Sequence, residues 1–173
     1  MLANLLRDAR ELGAVVTKGD RSLRALGTAL LQDSFTILAL ERTRAAGRRL
    51  HLIGINRVIR LTETALFGIE IGKGVRLGEG IYFVHTVGTV IGGDAVIGDR
   101  VVFMGNNTVG TARGDGYPVI EDDVVLGAGA RVLGPIRVGA GSVVGANAVV
   151  LRDVPPRSLA VGIPAEVRPL ARQ

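Results

Sequence analysis

Between Ile71 and Val154 a bulky apolar residue returns every six positions, and few folds can accommodate such a pattern. The anchors are Ile71, Leu77, Phe83, Ile91, Ile97, Phe103, Val109, Ile120, Leu126, Val132, Val138, Val144 and Val150. Many are followed by a small or acidic residue, as in Ile71-Gly72, Ile97-Gly98 and Ile120-Glu121. A fixed period of six matches neither a helix nor a single strand, so it is read as a repeat architecture. Short aliphatic strands alternate with turns of Gly, Ala, Asn and Asp. Three such hexads make one triangular coil, and stacked coils bury their anchors in a continuous column. Thirteen anchors give a little over four coils. Two steps depart from six: eight residues separate Phe83 from Ile91, and eleven separate Val109 from Ile120. The repeat is read as scaffold and the two breaks as the place for a site.

The chain divides into an N-terminal helical segment over 1–67, the repeat over 68–154 with a loop at 110–118, and an exit segment over 155–173. In the first segment Leu2, Leu5, Leu6, Ala9 and Leu12 fall on one helical face between Met1 and Val16, and Gly19-Asp20 breaks the pattern. Asp33-Ser34 reads as a cap before a helix over Phe35 to Ala46, with Gly47 at its end. A third helix over Leu50 to Phe67 closes at Gly68. His51 is read as a structural residue on that helical stretch. The apolar stripes need a partner, either the column or another subunit. At the far end, Pro155-Pro156 removes two ladder donors and is expected to end the last coil.

With 173 residues and 47% hydrophobic content the chain can bury a real core. Residues 1 to 60 hold eleven Lys and Arg against five Asp and Glu, while the remainder holds ten against eleven. The basic excess therefore lies in the helical segment, as a solvated face or one turned to an anionic partner. With aromatics at 3% the column offers no stacking platform, so nucleic acid is not an expected partner. No stretch approaches the roughly 20 apolar residues of a membrane span. The absence of cysteine and of a secretory-type N-terminus places the chain in the cytoplasm.

The hexads closely resemble those of the hexapeptide-repeat, left-handed parallel β-helix family. The stretch Val154-Pro155-Pro156 to Gly162-Ile163-Pro164-Ala165 resembles the VPP…GxPA exit segment of its serine O-acetyltransferase-like branch. The resemblance implies a mainly β fold, a left-handed parallel β-helix with an N-terminal helical segment. It also implies a homotrimer with sites between neighbouring columns, acetyl-CoA as acyl donor and no metal. The helical segment is shorter than the one that pairs trimers in serine enzymes, so a single trimer is expected. A γ-type carbonic anhydrase on the same fold would need three histidines on zinc, and the repeat holds only His85. A non-catalytic scaffold would place nothing special at the breaks.

The first break carries Tyr82-Phe83-Val84-His85-Thr86, and an imidazole near neutral pH suits removal of a proton from an attacking hydroxyl. The resemblance makes His85 the general base and Glu70, fifteen residues earlier, its orienting carboxylate where the serine enzymes carry Asp. The second break, Gly110 to Pro118, corresponds to a loop ending Asp-Arg-His-Pro in the serine enzymes, whose Arg and His hold substrate. Here those positions are Gly116 and Tyr117, and the carboxylate expected just before the catalytic histidine is Val84. Arg113 is the remaining candidate cation. These absences point to an acceptor other than a free amino acid: a sugar, glycan or secondary-metabolite alcohol, with Tyr117 as a hydroxyl donor and flat wall. Serine itself is the alternative. For the acyl donor the matching small-residue positions are Gly110, Ala128 and Ala146, with Ala130 nearby, and a backbone N–H in the Gly110-Thr111-Ala112 segment would face the oxyanion. Asn106 and Asn107 are read as a structural amide ladder.

Overall fold

A computed structural model describes residues 2–52, 54–114 and 116–170. Four helices lead into the column: α1 (Leu2–Val16), α2 (Leu23–Leu30), α3 (Asp33–Arg49) and α4 (Ile55–Phe67). The first coil is β1 (Glu70–Ile71), β2 (Arg76–Leu77) and β3 (Tyr82–Phe83), and the second is β4 (Val90–Ile91), β5 (Val96–Ile97) and β6 (Val102–Phe103). The third is β7 (Thr108–Gly110), β8 (Val119–Ile120) and β9 (Val125–Leu126), and the fourth is β10 (Arg131–Leu133), β11 (Arg137–Val138) and β12 (Val143–Val144). Above these lie β13 (Val149–Val150), β14 (Ser158–Val161) and β15 (Glu166–Pro169). Strands three apart in sequence pair in parallel and form three faces. The first face is β1-β4-β7-β10-β13, the second is β2-β5-β8-β11, and the third runs from β3 to β14 through β6, β9 and β12. This is the mainly β, parallel solenoid of the left-handed β-helix architecture.

The register explains why the anchors recur. Anchors stack on anchors, with Ile71 beside Ile91 and Val109, and Phe83 beside Phe103 and Leu126. All thirteen face inward, and only Leu77 is more than slightly exposed. Phe83 and Phe103 stack with ring centroids 5.1 Å apart, filling the interior at the level of the first break. Asn107 is buried and ties two coils, donating to the Gly127 carbonyl at 2.7 Å and accepting from the Gly105 N–H at 3.0 Å. Asn106 instead sits exposed at a left-handed corner with φ 50°.

The column does not stop at the prolines. Val154 bridges Val138 in parallel, β14 pairs with β12, and β15 folds back antiparallel to close the edge. Pro155 and Pro156 occupy a corner, where no ladder donor is needed. The helical segment also departs from expectation. α2 is an additional helix capped by Ser22, which accepts from the Ala25 N–H. α4 begins only at Ile55, and His51 lies outside it in a left-handed turn with φ 53°. Asp33 is inside α3, and Ser34 does not cap it. The Ser34 hydroxyl instead accepts from the Phe83 N–H and donates to the Phe83 carbonyl. Leu2 and Leu6 on α1, and Val58, Leu61 and Leu66 on α4, remain exposed.

Three of the segment's arginines are turned toward the column. The first coil has no coil beneath it, so its outward carbonyls need donors. Arg42 donates to the carbonyls of Leu77 and Gly78 at 2.8 and 2.6 Å while its guanidinium also grips the buried Asp8. Arg44 donates to those of Ile71 and Gly72, and Arg48 to that of Lys73. Arg44 is buried beside Glu41, at 2.5 Å, and Glu63, at 3.9 Å. One guanidinium cannot balance two buried carboxylates. Burial, with the neighbouring Glu41, pushes Glu63 up to about 9, so Glu63 keeps its proton at neutral pH.

A pH dependence of stability follows from that retained proton. The unfolded chain loses the Glu63 proton near 4.5, whereas the folded chain holds it to about 9. The stabilising contribution is complete below the lower value and is lost as pH rises toward the upper one. Urea unfolding at pH 6 and pH 9 should show the native chain losing more stability across that interval than Glu63→Gln, whose amide stays neutral. Equal losses would remove the retained proton from the account.

Candidate active site

The two breaks lie on opposite edges of the first face. His85 follows β3 and precedes β4, so it occupies the edge where the third face turns into the first. The loop from Gly110 to Pro118 follows β7 and precedes β8, on the edge where the first face turns into the second.

The His85 turn is pinned from both sides. Below, the Gly88 N–H donates to the Gly68 carbonyl at 2.9 Å and the Glu70 N–H to the Thr89 carbonyl at 3.0 Å. Above, the Asn106 N–H donates to the Val87 carbonyl at 3.2 Å. The two extra residues of this step make room for the turn and leave the imidazole exposed. Its base rests on Gly105, which has φ 119°, and a Cβ there would come within 2.8 Å of the His85 Cβ. Only glycine fits both the angle and the approach. Glu70 points outward from β1, one coil below, and the backbone bonds hold its strand against the His85 turn. Its carboxylate faces Arg60 of α4 at 3.9 Å, both side chains being half exposed, and no hydrogen bond to His85 is present among the described residues.

Val84 is half-buried, its N–H committed to the Phe103 carbonyl at 2.8 Å. In the loop the Thr111 hydroxyl accepts from the Gly114 N–H at 2.6 Å, while Arg113 extends into solvent. Gly116, at φ 142°, packs against Pro135, and the Tyr117 ring lies over Gly93, filling the space a side chain there would occupy. Tyr117 is thus an anchor that holds the loop to the column.

The small-residue positions separate into three places. Ala128 and Ala146 are exposed on the same edge as His85, in turns between the third and first faces. Gly110 and Thr111 lie on the opposite edge. Ala130 is 1% exposed and belongs to the core, so its side chain is not available to a ligand. Two residues of one turn point in opposite directions, and small size alone does not distinguish the outward one.

The sequence reading also missed a basic cleft. A cavity of about 320 Å³ between α4 and β1 is lined by Arg44, Asn56, Arg57, Arg60, Glu70 and Lys73. Arg57 and Arg60 are three apart on one helical face, a pattern indistinguishable in sequence from a solvated stripe.

Comparison with known proteins identifies the family. The bacterial transferase hexapeptide model, of six repeats, matches residues 117–152. A serine acetyltransferase of Synechococcus elongatus is 43% identical over 116 residues, covering 65% of this chain and 48% of that protein. Soybean serine acetyltransferase, solved in complex with serine, superposes with a TM-score of 0.82 at 32% identity, covering 96% of this chain and 68% of that one. A serine acetyltransferase solved in complex with CoA superposes with a TM-score of 0.84 at 26% identity, covering 96% and 69%. The chain belongs to the hexapeptide-repeat acyltransferases, in the serine O-acetyltransferase branch. It spans about half the length of the curated relatives it matches. Membership in this branch accounts for the repeat and the exit segment together.

The contact between His85 and Gly105 is open to direct test. Gly105→Ala combines an unfavourable angle with a clash, which should cost about 1–3 kcal/mol of stability. It should also shift the His85 imidazole signals in an NMR spectrum while those of His51, the other histidine, stay in place. Unchanged stability with an unmoved His85 would contradict the packing.

Proposed function

We propose that this chain is an acetyl-CoA-dependent O-acetyltransferase, acting as a cytoplasmic homotrimer, with L-serine as acceptor. The observation that carries the reading is the exposed imidazole at the first break, pinned against the Glu70 strand, in a chain whose relatives are serine acetyltransferases. The acceptor supported by these relatives is serine, not the sugar or glycan alcohol suggested by the missing charges. A trimer fits the division of the candidate residues between two edges of the first face, since a neighbouring copy would bring its loop to the His85 edge. Val87 is exposed in the His85 turn, and Val58, Leu61 and Leu66 are exposed on α4, which leads into β1, so these apolar residues fit an interface there.

In this reading His85 accepts the proton of the serine hydroxyl as its oxygen attacks the thioester carbonyl. Glu70 holds the imidazole in orientation and balances the positive charge it gains. A backbone N–H of the Gly110-Thr111-Ala112 segment meets the developing oxyanion. His85 then returns its proton to the departing thiolate, giving free CoA and O-acetylserine. Acetyl-CoA supplies the acyl group and lies along the edge where Ala128 and Ala146 leave the backbone open.

Release of free thiol from acetyl-CoA, followed with L-serine and with a panel of sugar alcohols, tests the reading. Release with serine is expected, and His85→Ala should slow it by about 10²- to 10⁴-fold while leaving the unfolding transition in place. Release with sugars alone would transfer the chemistry to another acceptor. Native rates in His85→Ala would remove the proposed base.

A further inference from the structure

The proposed reaction leaves one electrostatic question open. A serine carboxylate entering a partly desolvated site needs a cation, and the second break offers Gly116 and Tyr117 where one is expected. The structure contains an alternative source of positive charge. The cleft between α4 and β1 is lined by Arg57, Arg60 and Lys73 together with the buried Arg44, and Glu70 is the one acidic side chain among the described lining residues.

Several features make this cleft more than a solvated basic face. Arg44 is 1% exposed, and its Nε has no hydrogen-bond partner among the described residues. Of the two carboxylates beside Arg44, Glu63 retains its proton, so the Arg44 charge is not cancelled twice over. Helix α4 begins at the cleft, and its N-cap, Gly54, provides no side-chain acceptor for the first amides. The positive end of the helix therefore adds to the field of the guanidinium groups. Asn56 Oδ1 is buried and unpartnered among the described residues, an acceptor suited to an ammonium. Finally, the Arg60–Glu70 pair is long, at 3.9 Å, and both partners are 53% exposed, so a ligand can displace it at little cost.

We propose that this cleft is the carboxylate-binding subsite for the acceptor, with Arg60 as the cation that contacts it. The inference rests on the proposed function and supplies the charge that its second break lacks. Arg60 is the side chain that links the two, because it already faces Glu70, whose strand is bonded to the His85 turn. A carboxylate received by Arg60 would place the rest of a small hydroxy acid toward that turn. Arg57 and Lys73 raise the local potential without needing direct contact. A guanidinium suits the task because it meets a carboxylate with two parallel donors.

Steady-state kinetics with L-serine and L-serinamide, which keeps the hydroxyl but not the carboxylate, separates the possibilities. For Arg60→Ala the KM for serine should rise about tenfold or more, the loss expected for a charge-assisted hydrogen bond. The KM values for serinamide and acetyl-CoA should stay within about twofold, and Arg60→Lys should recover part of the loss. Inorganic phosphate should inhibit competitively against serine in the native chain and lose that effect in Arg60→Ala. An unchanged KM for serine would overturn the subsite. So would an equal fall in kcat for both acceptors, which would make Arg60 a positioning residue for Glu70. Phosphate inhibition that is non-competitive with serine would assign the cleft to a separate anion and overturn the proposal too. Failure of the native chain to use serine at all would instead defeat the proposed function, and the subsite with it.

Discussion

A stack of parallel coils satisfies its backbone everywhere except at its ends, and the lower end of this column is where most of the polar organisation of the chain originates. The first coil has carbonyls that no lower coil can reach. Arg42, Arg44 and Arg48, all on α3, deliver donors to five of them, and Ser34 on the same helix bonds the backbone of Phe83. Burying a guanidinium is costly unless it is paired, so Asp8 and Glu41 accompany Arg42 and Arg44 into the interior. Glu63 is drawn into the same pocket and stays neutral because burial, with Glu41 beside it, disfavours a second negative charge there. The helical segment is therefore a cap on the column, and three of its arginines serve that capping.

This cap also sets the position of the candidate site. α4 leaves the cap at Phe67, passes through the left-handed C-cap Gly68, and continues within two residues into β1. Gly68 bonds the turn that carries His85, and Glu70 follows immediately. The imidazole, the carboxylate and the arginines of α4 are thus held by one short stretch of backbone whose two ends are fixed by different structures, the cap and the column. Loss of either would separate the groups without altering any of them.

The sequence revealed the column far better than the cap. Period six is imposed by packing at every coil, so thirteen anchors could be named and all thirteen face inward. The exit was misread because proline is informative only about ladder positions, and Pro155 and Pro156 fall at a corner. α2 was missed because its eight residues include a glycine and bury little beyond Ala25 and Ala29. At the site, His85 could be singled out since a break in a strict repeat is visible, whereas the inward direction of the Ala130 side chain could not be read, since both walls of a turn favour small residues. The basic cleft had no linear signature. Arg44, Arg60 and Lys73 lie far apart in sequence and meet only because α4 folds back along the first coil.

Positions in a β-helix are quantised: a residue belongs to one face or one edge, and no side-chain rotation carries it to another. His85 and the Gly110 to Pro118 loop are assigned by their neighbouring strands to the two edges of the first face. The column between them is a packed core, so a substrate cannot reach both through it. On the proposed reading, a loop residue that helps hold the acceptor must come from a second copy, whereas Arg60 and Glu70 come from the same copy as His85. The loop can then vary without disturbing the groups fixed to the cap. That separation offers a physical reason why the loop edge of such a column can vary independently of the His85 edge.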